Sequence, residues 1–405
     1  MHIAYFTNFY LPVVSGVVRS VQSFRDALTT LGHNVFVFAQ EDDYEDTEPF
    51  IFRYPSLRLP LSVDIPTALP VSAFVDQLIP KLKLDVIHTH HPFLLGQTAA
   101  TKARDHNLPL VFTFHTQYQE YTHYIPIPQE QVQEFLRNTV MNWMREFMRK
   151  CQHIVIPSES MRSILVNDYG LVDRFTVIPT GIDVTPYKKA NGAALRSEWG
   201  WQDDTIIVSA GRLAEEKNWI TLLQAFALAQ KKQPNLRLVL VGDGPQAEEL
   251  RQLAAELGVS ERVLFTGKVP FEQIPNYLKA ADLFAFASVT ETQGLVTLEA
   301  MAAGLPVVAV TGPGTQDIVE DEVQGFLVQN DPQALSKGIV KLVNNPDLMS
   351  TFKTAALKKS RSYDNKRLAR KMLKVYEQAI QDKKDGQFVT IEDKTALVDA
   401  QQVAA

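Results

Sequence analysis

TETQGLVTLEAMAAGLPVVAV, residues Thr290–Val310, is the stretch on which the reading of this chain turns. From Leu295 the apolar residues Leu295, Val296, Leu298, Met301 and Ala302 predict a helix that buries most of its surface, and LPVVAV behind it reads as a buried strand, continuous in apolar residues. Two acids interrupt this pattern. Glu291 stands just before Gly294, and Glu299 lies inside the apolar run. Burying a lone carboxylate is very costly, so Glu299 must meet solvent, a charge partner or a bound polar ligand. Acids near a helix N-terminus also favour the helix dipole by a few tenths of a kcal/mol to about 1 kcal/mol. Taken singly, either glutamate reads as structural.

Outward from this stretch, strand-like runs alternate with helical patterns. The first half contains HIAYF, NVFVFAQ, DVIHTH, LPLVFTFH, HIVIPS and FTVIPT, with amphipathic stretches such as Val17–Leu31 and Leu95–Asn107 between them. The second half repeats the scheme with TIIVSAG, LRLVLVGDG, RVLFTGKV, LFAFAS and PVVAV. Such alternation predicts an α/β protein of parallel sheets with helices on both faces. The periodicity lapses near Pro179–Asp204, rich in Gly, Pro and polar residues, which is where one domain should join the next. The expected organisation is two Rossmann-like, doubly wound parallel-sheet domains facing a cleft, at 1–183 and 184–364. A helix over 365–381 is expected to return to the first domain, and 382–405, without periodic apolar spacing, to be a disordered tail.

Composition narrows the classes of function. A chain of 405 residues exceeds what one core usually organises. A formal net charge of −6 argues against a nucleic-acid partner, which calls for a basic field. The opening run HIAYFTNFY is strand-like and shows no charged region or cleavage site, so no signal peptide is expected. No segment approaches eighteen uncharged apolar residues, the scale of a spanning helix. The single Cys151 permits no internal disulfide and suggests no zinc site. A cytoplasmic protein, soluble or peripheral to a membrane, fits these features.

Open parallel sheets bind ligands at the carboxyl ends of their strands. After the first strand, Gly16 opens a predicted helix whose exposed N–H groups form a natural anion site. No G-x-G-x-x-G follows here or elsewhere, which disfavours a nicotinamide enzyme. His115 follows another strand, beside Tyr118 and Tyr121 in HTQYQEYTHYIP, where a neutral imidazole can hydrogen-bond a polar ligand. HTHH, His88–His91, invites a metal reading, but no acidic cluster accompanies it, and satisfied structural histidines are the simpler reading. In SAGRLAEEKNW, Arg212 lies just past a strand and Lys217 five residues later. Arg suits multidentate phosphate contacts and Lys a point charge, so the pair can neutralise a diphosphate. Taken alone, they read more simply as surface charges paired with Glu215 and Glu216. Together with Glu291, Gly294 and Glu299 the set becomes coherent: cations for a diphosphate, a helix N-terminus for its far end, and carboxylates that each accept two bonds from vicinal hydroxyls.

On these motifs the chain resembles the family 4 retaining glycosyltransferases of GT-B fold, over roughly residues 1 to 380. The resemblance rests on the E-x7-E pair Glu291 and Glu299, on GRLAEEK, on Gly16 and on PTGID at the join, where Thr180 replaces the usual Asn. It implies that Glu291 binds the donor hexose hydroxyls and Glu299 the nucleotide ribose. Arg212 and Lys217 would hold the diphosphate with the N–H groups of Leu295 and Val296, the backbone at Val269 would meet the base, and His115 would approach the transferred sugar. It further implies front-face attack without a covalent nucleophile, and no metal or other cofactor at the diphosphate.

ETQG and FHTQYQEYTHYIP look like the bacterial 1,2-diacylglycerol 3-alpha-glucosyltransferases and related glycolipid synthases. That implies UDP-glucose as donor, diacylglycerol as lipid acceptor, and a peripheral location at the inner face of the membrane. Gln131–His153 carries Phe135, Trp143 and four methionine and phenylalanine neighbours among Arg137, Arg145, Arg149 and Lys150, a pattern able to lie in an anionic interface or to pack as an ordinary helix. Ser56–Pro70 is a second candidate wall for an apolar acceptor. Alternatives are a family 4 transferase using GDP-mannose on phosphatidylinositol or an oligosaccharide, a GT-B epimerase acting without acceptor, and a non-catalytic nucleotide-sugar sensor. The E-x7-E pair counts against the epimerase and the complete donor motif against the sensor. Oligomeric state is not legible in the sequence.

Overall fold

The computed structural model describes residues 1–13, 15–57, 67–118 and 130–392. The chain divides into two compact units, Met1–Gly181 with Asn365 onward, and Ile182–Asp364.

The first unit carries β1 (His2–Phe6), β2 (Asn34–Gln40), β3 (Ile51–Tyr54), β4 (Ser56–Leu57), β5 (Thr67–Ala68), β6 (Val86–Thr89), β7 (Leu110–Thr113), β8 (His153–Ile156) and β9 (Phe175–Val177). Seven of these form a parallel sheet in the order β3-β2-β1-β6-β7-β8-β9, while β4 pairs antiparallel with β5. Alternation along β1 explains why its residues read as continuously apolar. Ala4 and Phe6 enter a core with Phe38, Phe112 and Phe147, and Ile3 and Tyr5 enter another with Val37, Val86 and Val111. Helix Gly16–Thr30 begins where Ser15 Oγ accepts the Val18 N–H. It packs on helix Asn365–Lys384, whose Leu368, Met372, Val375, Tyr376 and Ala379 form one buried stripe with Val18, Val21 and Phe24.

The second unit carries β10 (Thr205–Ala210), β11 (Leu236–Val241), β12 (Val263–Phe265), β13 (Leu283–Phe286), β14 (Val307–Val310) and β15 (Gly325–Val328), all parallel, in the order β12-β11-β10-β13-β14-β15. This is the doubly wound order, reversing between β10 and β13. Ile207, Leu238 and Val308 point to one core and Ile206, Val208 and Val307 to the other.

The stretch at Pro179–Asp204, where the periodicity lapses, holds helices Thr185–Lys189 and Ala193–Trp199, each too short to show a period. One expectation changes. The expected disordered tail does not begin at 382. The helix runs to Lys384, Asp382 is buried, the Val389 N–H donates to Cys151 O at 2.9 Å and the Glu392 N–H to Gly170 O at 2.9 Å. Val389 and Ile391, two residues apart in extended chain, place both side chains in the first unit's core. Residues 393–405 lie outside the described ones. Among the described residues no helix is long and apolar enough to cross a membrane.

Candidate active site

The order reversal brings the ends of β10 and β13 side by side in the second unit. Gly211 and Arg212 follow β10, and Ser288–Glu291 follow β13. These loops are bound to each other through the short turn Glu215–Lys217. Ser288 Oγ and Thr290 Oγ1 both donate to Glu216 O, at 3.2 and 3.1 Å. Trp219 Nε1 donates to Arg212 O at 2.9 Å, which holds the arginine backbone.

The charged groups pair across this frame. Lys217 Nζ donates to Glu291 Oε1 at 2.5 Å, and Arg212 Nη2 to Glu216 Oε1 at 2.7 Å. Both are charge-assisted bonds. The Glu216 side chain is 5% exposed, whereas that of Arg212 is 43% exposed. A carboxylate so buried needs its cation, and a cation so accessible keeps solvent and ligand contact. Of the two surface pairs open on sequence grounds, the Arg212–Glu216 pair exists, but Lys217 pairs with an acid 74 residues away.

Helix Leu295–Ala302 starts at Gly294, whose φ of 77° lies in the left-handed region that favours glycine. Its first amides, Leu295 and Val296, precede any acceptor the helix itself supplies. The Gly314 N–H donates to Glu291 O at 2.8 Å, and a Cβ on Gly314 would lie 2.4 Å from the Gln293 nitrogen, so only glycine lets this loop approach so closely. Glu299 is 2% exposed and Glu291 only partly buried. Leu298, Met301 and Ala302 are buried as expected, but Leu295 and Val296 are half-buried, since the helix start faces the loop. Val269 is half-buried beyond β12, two residues past Gly267.

In the first unit the reversal lies between β1 and β6. Asn8 Oδ1 accepts the Leu95 N–H at 3.1 Å, and the Asn8 N–H donates to His91 Nδ1 at 3.0 Å, so His91 carries its proton on Nε2. His88 bonds Tyr376 OH at 2.8 Å and Thr113 Oγ1 at 2.7 Å, and Tyr376 OH lies 3.0 Å from Tyr5 OH. His90 Nδ1 lies 2.9 Å from His115 Nε2. Gly16 is exposed at the start of its helix. Among the described residues no group of three or more His, Cys, Asp or Glu is placed to hold a metal ion.

Burial disfavours the charged imidazole, pushing His91 and His115 down to about 3 and His88 and His90 well below the ordinary value. Folded-state values below the unfolded ones mean that these groups contribute stability that is whole above pH about 6.5. It is lost as pH falls towards their folded values. Between pH 6.5 and 5 His91 alone should account for ~2 kcal/mol. Denaturant unfolding at pH 7 and pH 5 is therefore expected to show a lower midpoint at pH 5. An unchanged midpoint would mean that these histidines accept protons in the folded state.

On Gln131–His153, whose pattern is open to an interface or to ordinary packing, the contacts of several side chains are defined. The helix spans Glu130–Met148 and buries Met144, Phe147 and Met148 in the first core. Trp143 is stacked on Phe93, ring centroids 4.2 Å apart, and Tyr118 meets the same ring edge-on at 5.0 Å. Arg145 donates to Tyr169 O and Asp168 O, the last carbonyls of helix Glu159–Tyr169, at 3.2 and 2.6 Å. Arg149 pairs with Glu146 and donates to Ile391 O at 3.2 Å, and Lys150 reaches Gln97 Oε1 at 3.1 Å. Trp143 is thus held by ring stacking, Arg149 by an extended-chain carbonyl, and Arg145 by carbonyls that a helix end leaves for a cation to satisfy. Tyr121 and most of Ser56–Pro70 lie outside the described residues. Two site residues escaped sequence reasoning. Glu216 was legible only as a surface acid four residues after Arg212, and His90 only as one of several buried histidines.

Residues 14–185 match the family model described as Glycosyltransferase Family 4, and residues 193–359 that described as Glycosyl transferases group 1. The alpha-monoglucosyldiacylglycerol synthase of Streptococcus pneumoniae is 34% identical over 359 residues, covering 86% of this chain and 80% of the relative. That of Acholeplasma laidlawii is 31% identical over 369 residues, covering 87% and 90%. Among solved structures, sucrose-phosphate synthase from Thermosynechococcus elongatus superposes with a TM-score of 0.77 at 25% identity, covering 93% of this chain and 98% of that one. Anabaena HepE, solved with UDP and glucose, does so with 0.74 at 20% identity, covering 93% and 99%. Two parallel sheets of this order, matched so completely, define a GT-B glycosyltransferase. The chain belongs to the family 4 glycosyltransferases and is similar to the alpha-monoglucosyldiacylglycerol synthases.

Proposed function

We propose that the chain transfers glucose from UDP-glucose to the free hydroxyl of 1,2-diacylglycerol with retention, giving an α-glucolipid. The similarity to two glucosyldiacylglycerol synthases, over 86 and 87% of the chain, carries this reading. In it the second unit takes the donor. Arg212 and Lys217 meet the diphosphate with the N–H groups of Leu295 and Val296 at the start opened by Gly294. Glu291 accepts hexose hydroxyls, Glu299 the ribose hydroxyls, and the backbone at Val269 the base. The Lys217–Glu291 bond then yields to a donor whose phosphate satisfies the cation and whose hydroxyls satisfy the acid. The C1–O bond to the diphosphate breaks, the acceptor oxygen bonds C1 on the same face, and the acceptor proton leaves with the phosphate. Gly16 and His115 of the first unit serve the diphosphate and the sugar. With two protein cations and a helix N-terminus for the departing charge, the reaction needs no metal.

A lipid acceptor calls for a membrane-facing surface, and this is sought near β4 and β5 rather than on the basic helix. Leu57, Leu69, Val71 and Phe74 are exposed, Val71 at 73% and Phe74 at 65%. Burying one such side chain in lipid is worth about 1.5–3 kcal/mol. Val71→Ser with Phe74→Ser is expected to weaken vesicle sedimentation by tenfold or more, about equally at low and high salt, with UDP affinity unchanged. Sedimentation equal to wild type would place the membrane surface elsewhere.

A mannosyltransferase reading draws on the GDP-mannose-dependent alpha-mannosyltransferase of Corynebacterium glutamicum, 28% identical over 339 residues. Labelled UDP-glucose and GDP-mannose, each offered with diacylglycerol, phosphatidylinositol or a glycan in mixed vesicles, separate the two. Product from UDP-glucose and diacylglycerol alone is expected, and transfer only from GDP-mannose would overturn the proposal.

A further inference from the structure

His90 has no part in the donor motif, yet it is hydrogen-bonded to His115. It is 1% exposed, at the end of β6, and its ring packs against two others besides His115. The His88 ring is 4.4 Å away and tilted by 31°, and the Tyr5 ring 4.8 Å away at 68°. His88 is in turn fixed through Tyr376 and Thr113, so the His90 ring stands on a platform built from β1, β6, β7 and the C-terminal helix. From that platform Nδ1 reaches His115 Nε2 at 2.9 Å, with the two rings stacked 5.2 Å apart.

Only one of those two nitrogens can carry the proton. The other nitrogen of His90, Nε2, is buried and has no hydrogen-bond partner. A proton there would leave a buried N–H donor unpaired, the rarer and more costly kind of orphan. With the proton on His90 Nδ1, only a lone pair is left unpaired. His90 then donates and His115 Nε2 accepts. Because His115 is neutral, its own proton must lie on Nδ1.

We propose that His90 is a positioning residue for glycosyl transfer: its Nδ1–H holds His115 through Nε2, setting the plane of the His115 ring and making His115 Nδ1 a hydrogen-bond donor. The inference rests on the reading that His115 approaches the transferred sugar. It adds that His115 acts as a neutral donor to a sugar oxygen, not as a proton acceptor. A base would need an unprotonated nitrogen towards substrate, and His90 occupies the one His115 has.

The test combines a measurement on the unaltered protein with two variants. Selective 15N-histidine labelling, with the His115 signals assigned through His115→Gln, is expected to show Nδ1 protonated and Nε2 as an unprotonated imine accepting a hydrogen bond. His90→Ala is expected to lower kcat by about 10²-fold, the scale of a small misplacement of a reacting group, while UDP affinity stays as in wild type. His90→Asn, whose amide nitrogen sits close to the imidazole Nδ1, should recover most of that loss. A proton on His115 Nε2 overturns the proposal whatever the variants do. So does wild-type kcat in His90→Ala, or a folded His90→Asn no better than His90→Ala. His115→Ala separates the two levels: if it keeps wild-type kcat while the 15N spectrum is as expected, the His90 bond stands and the sugar role of His115 falls.

Discussion

Lys217→Ala and Arg212→Ala are each expected to lower turnover by about 10²-fold or more, the scale for losing one preorganised stabiliser of developing charge. The structure separates their side effects. Lys217→Ala takes the cation from a Glu291 side chain that is 14% exposed. Arg212→Ala takes a cation from the more deeply buried Glu216, so this variant should also melt earlier. Arg212→Lys keeps the charge near Glu216 but loses the planar fork, and it should restore melting more than turnover. Added magnesium should rescue none of these variants, and a chelator should leave wild-type activity largely intact. Wild-type activity lost in chelator and restored by a divalent ion would mean that a metal, not this pair, meets the diphosphate.

Glu291→Gln and Glu299→Ala should fail in different ways. Glu291→Gln retains an acceptor oxygen but neither the charge nor the full accepting capacity a sugar diol uses, so turnover should fall steeply while UDP still binds. The same change removes the negative charge that Lys217 faces at 2.5 Å, which weakens the competition with phosphate for that cation. Glu299→Ala removes a carboxylate that is 2% exposed and should weaken UDP itself. Because the truncation also leaves a cavity in a packed helix, Glu299→Gln, close in volume, serves as its partner. Calorimetric titration with UDP decides the matter. Equal UDP affinity in Glu291→Gln, Glu299→Gln and wild type would remove the assignment of one acid to sugar and the other to ribose.

Local sequence determined the alternating elements and the ends of the strands. Strands buried on both faces, such as Val307–Val310, read as unbroken apolar runs, and helices such as Gly16–Thr30 and Leu95–Asp105 carry a 3.6-residue stripe. The strand Gly325–Val328 escaped notice because four residues hold too little period to register. The candidate residues were legible for a related reason. Arg212, His115 and Glu291 stand just after strands, where a parallel sheet presents its loops, and Glu299 is an acid in a stretch otherwise built for burial. Tertiary structure alone decided their partners. Lys217 meets Glu291 across 74 residues because β10 and β13 become neighbours, with β11 and β12 on the other side. Arg145 and Arg149 look like an interfacial stripe in sequence, yet they satisfy the carbonyls of Asp168, Tyr169 and Ile391, which only folding brings within reach. Val389 and Ile391 look like a polar tail until Leu171 and Cys151 offer them a core and a backbone partner. The physical reason is common to all three. Periodicity reports which face of an element is apolar, whereas the partner of a charge or of an edge amide depends on which elements the sheet order places side by side.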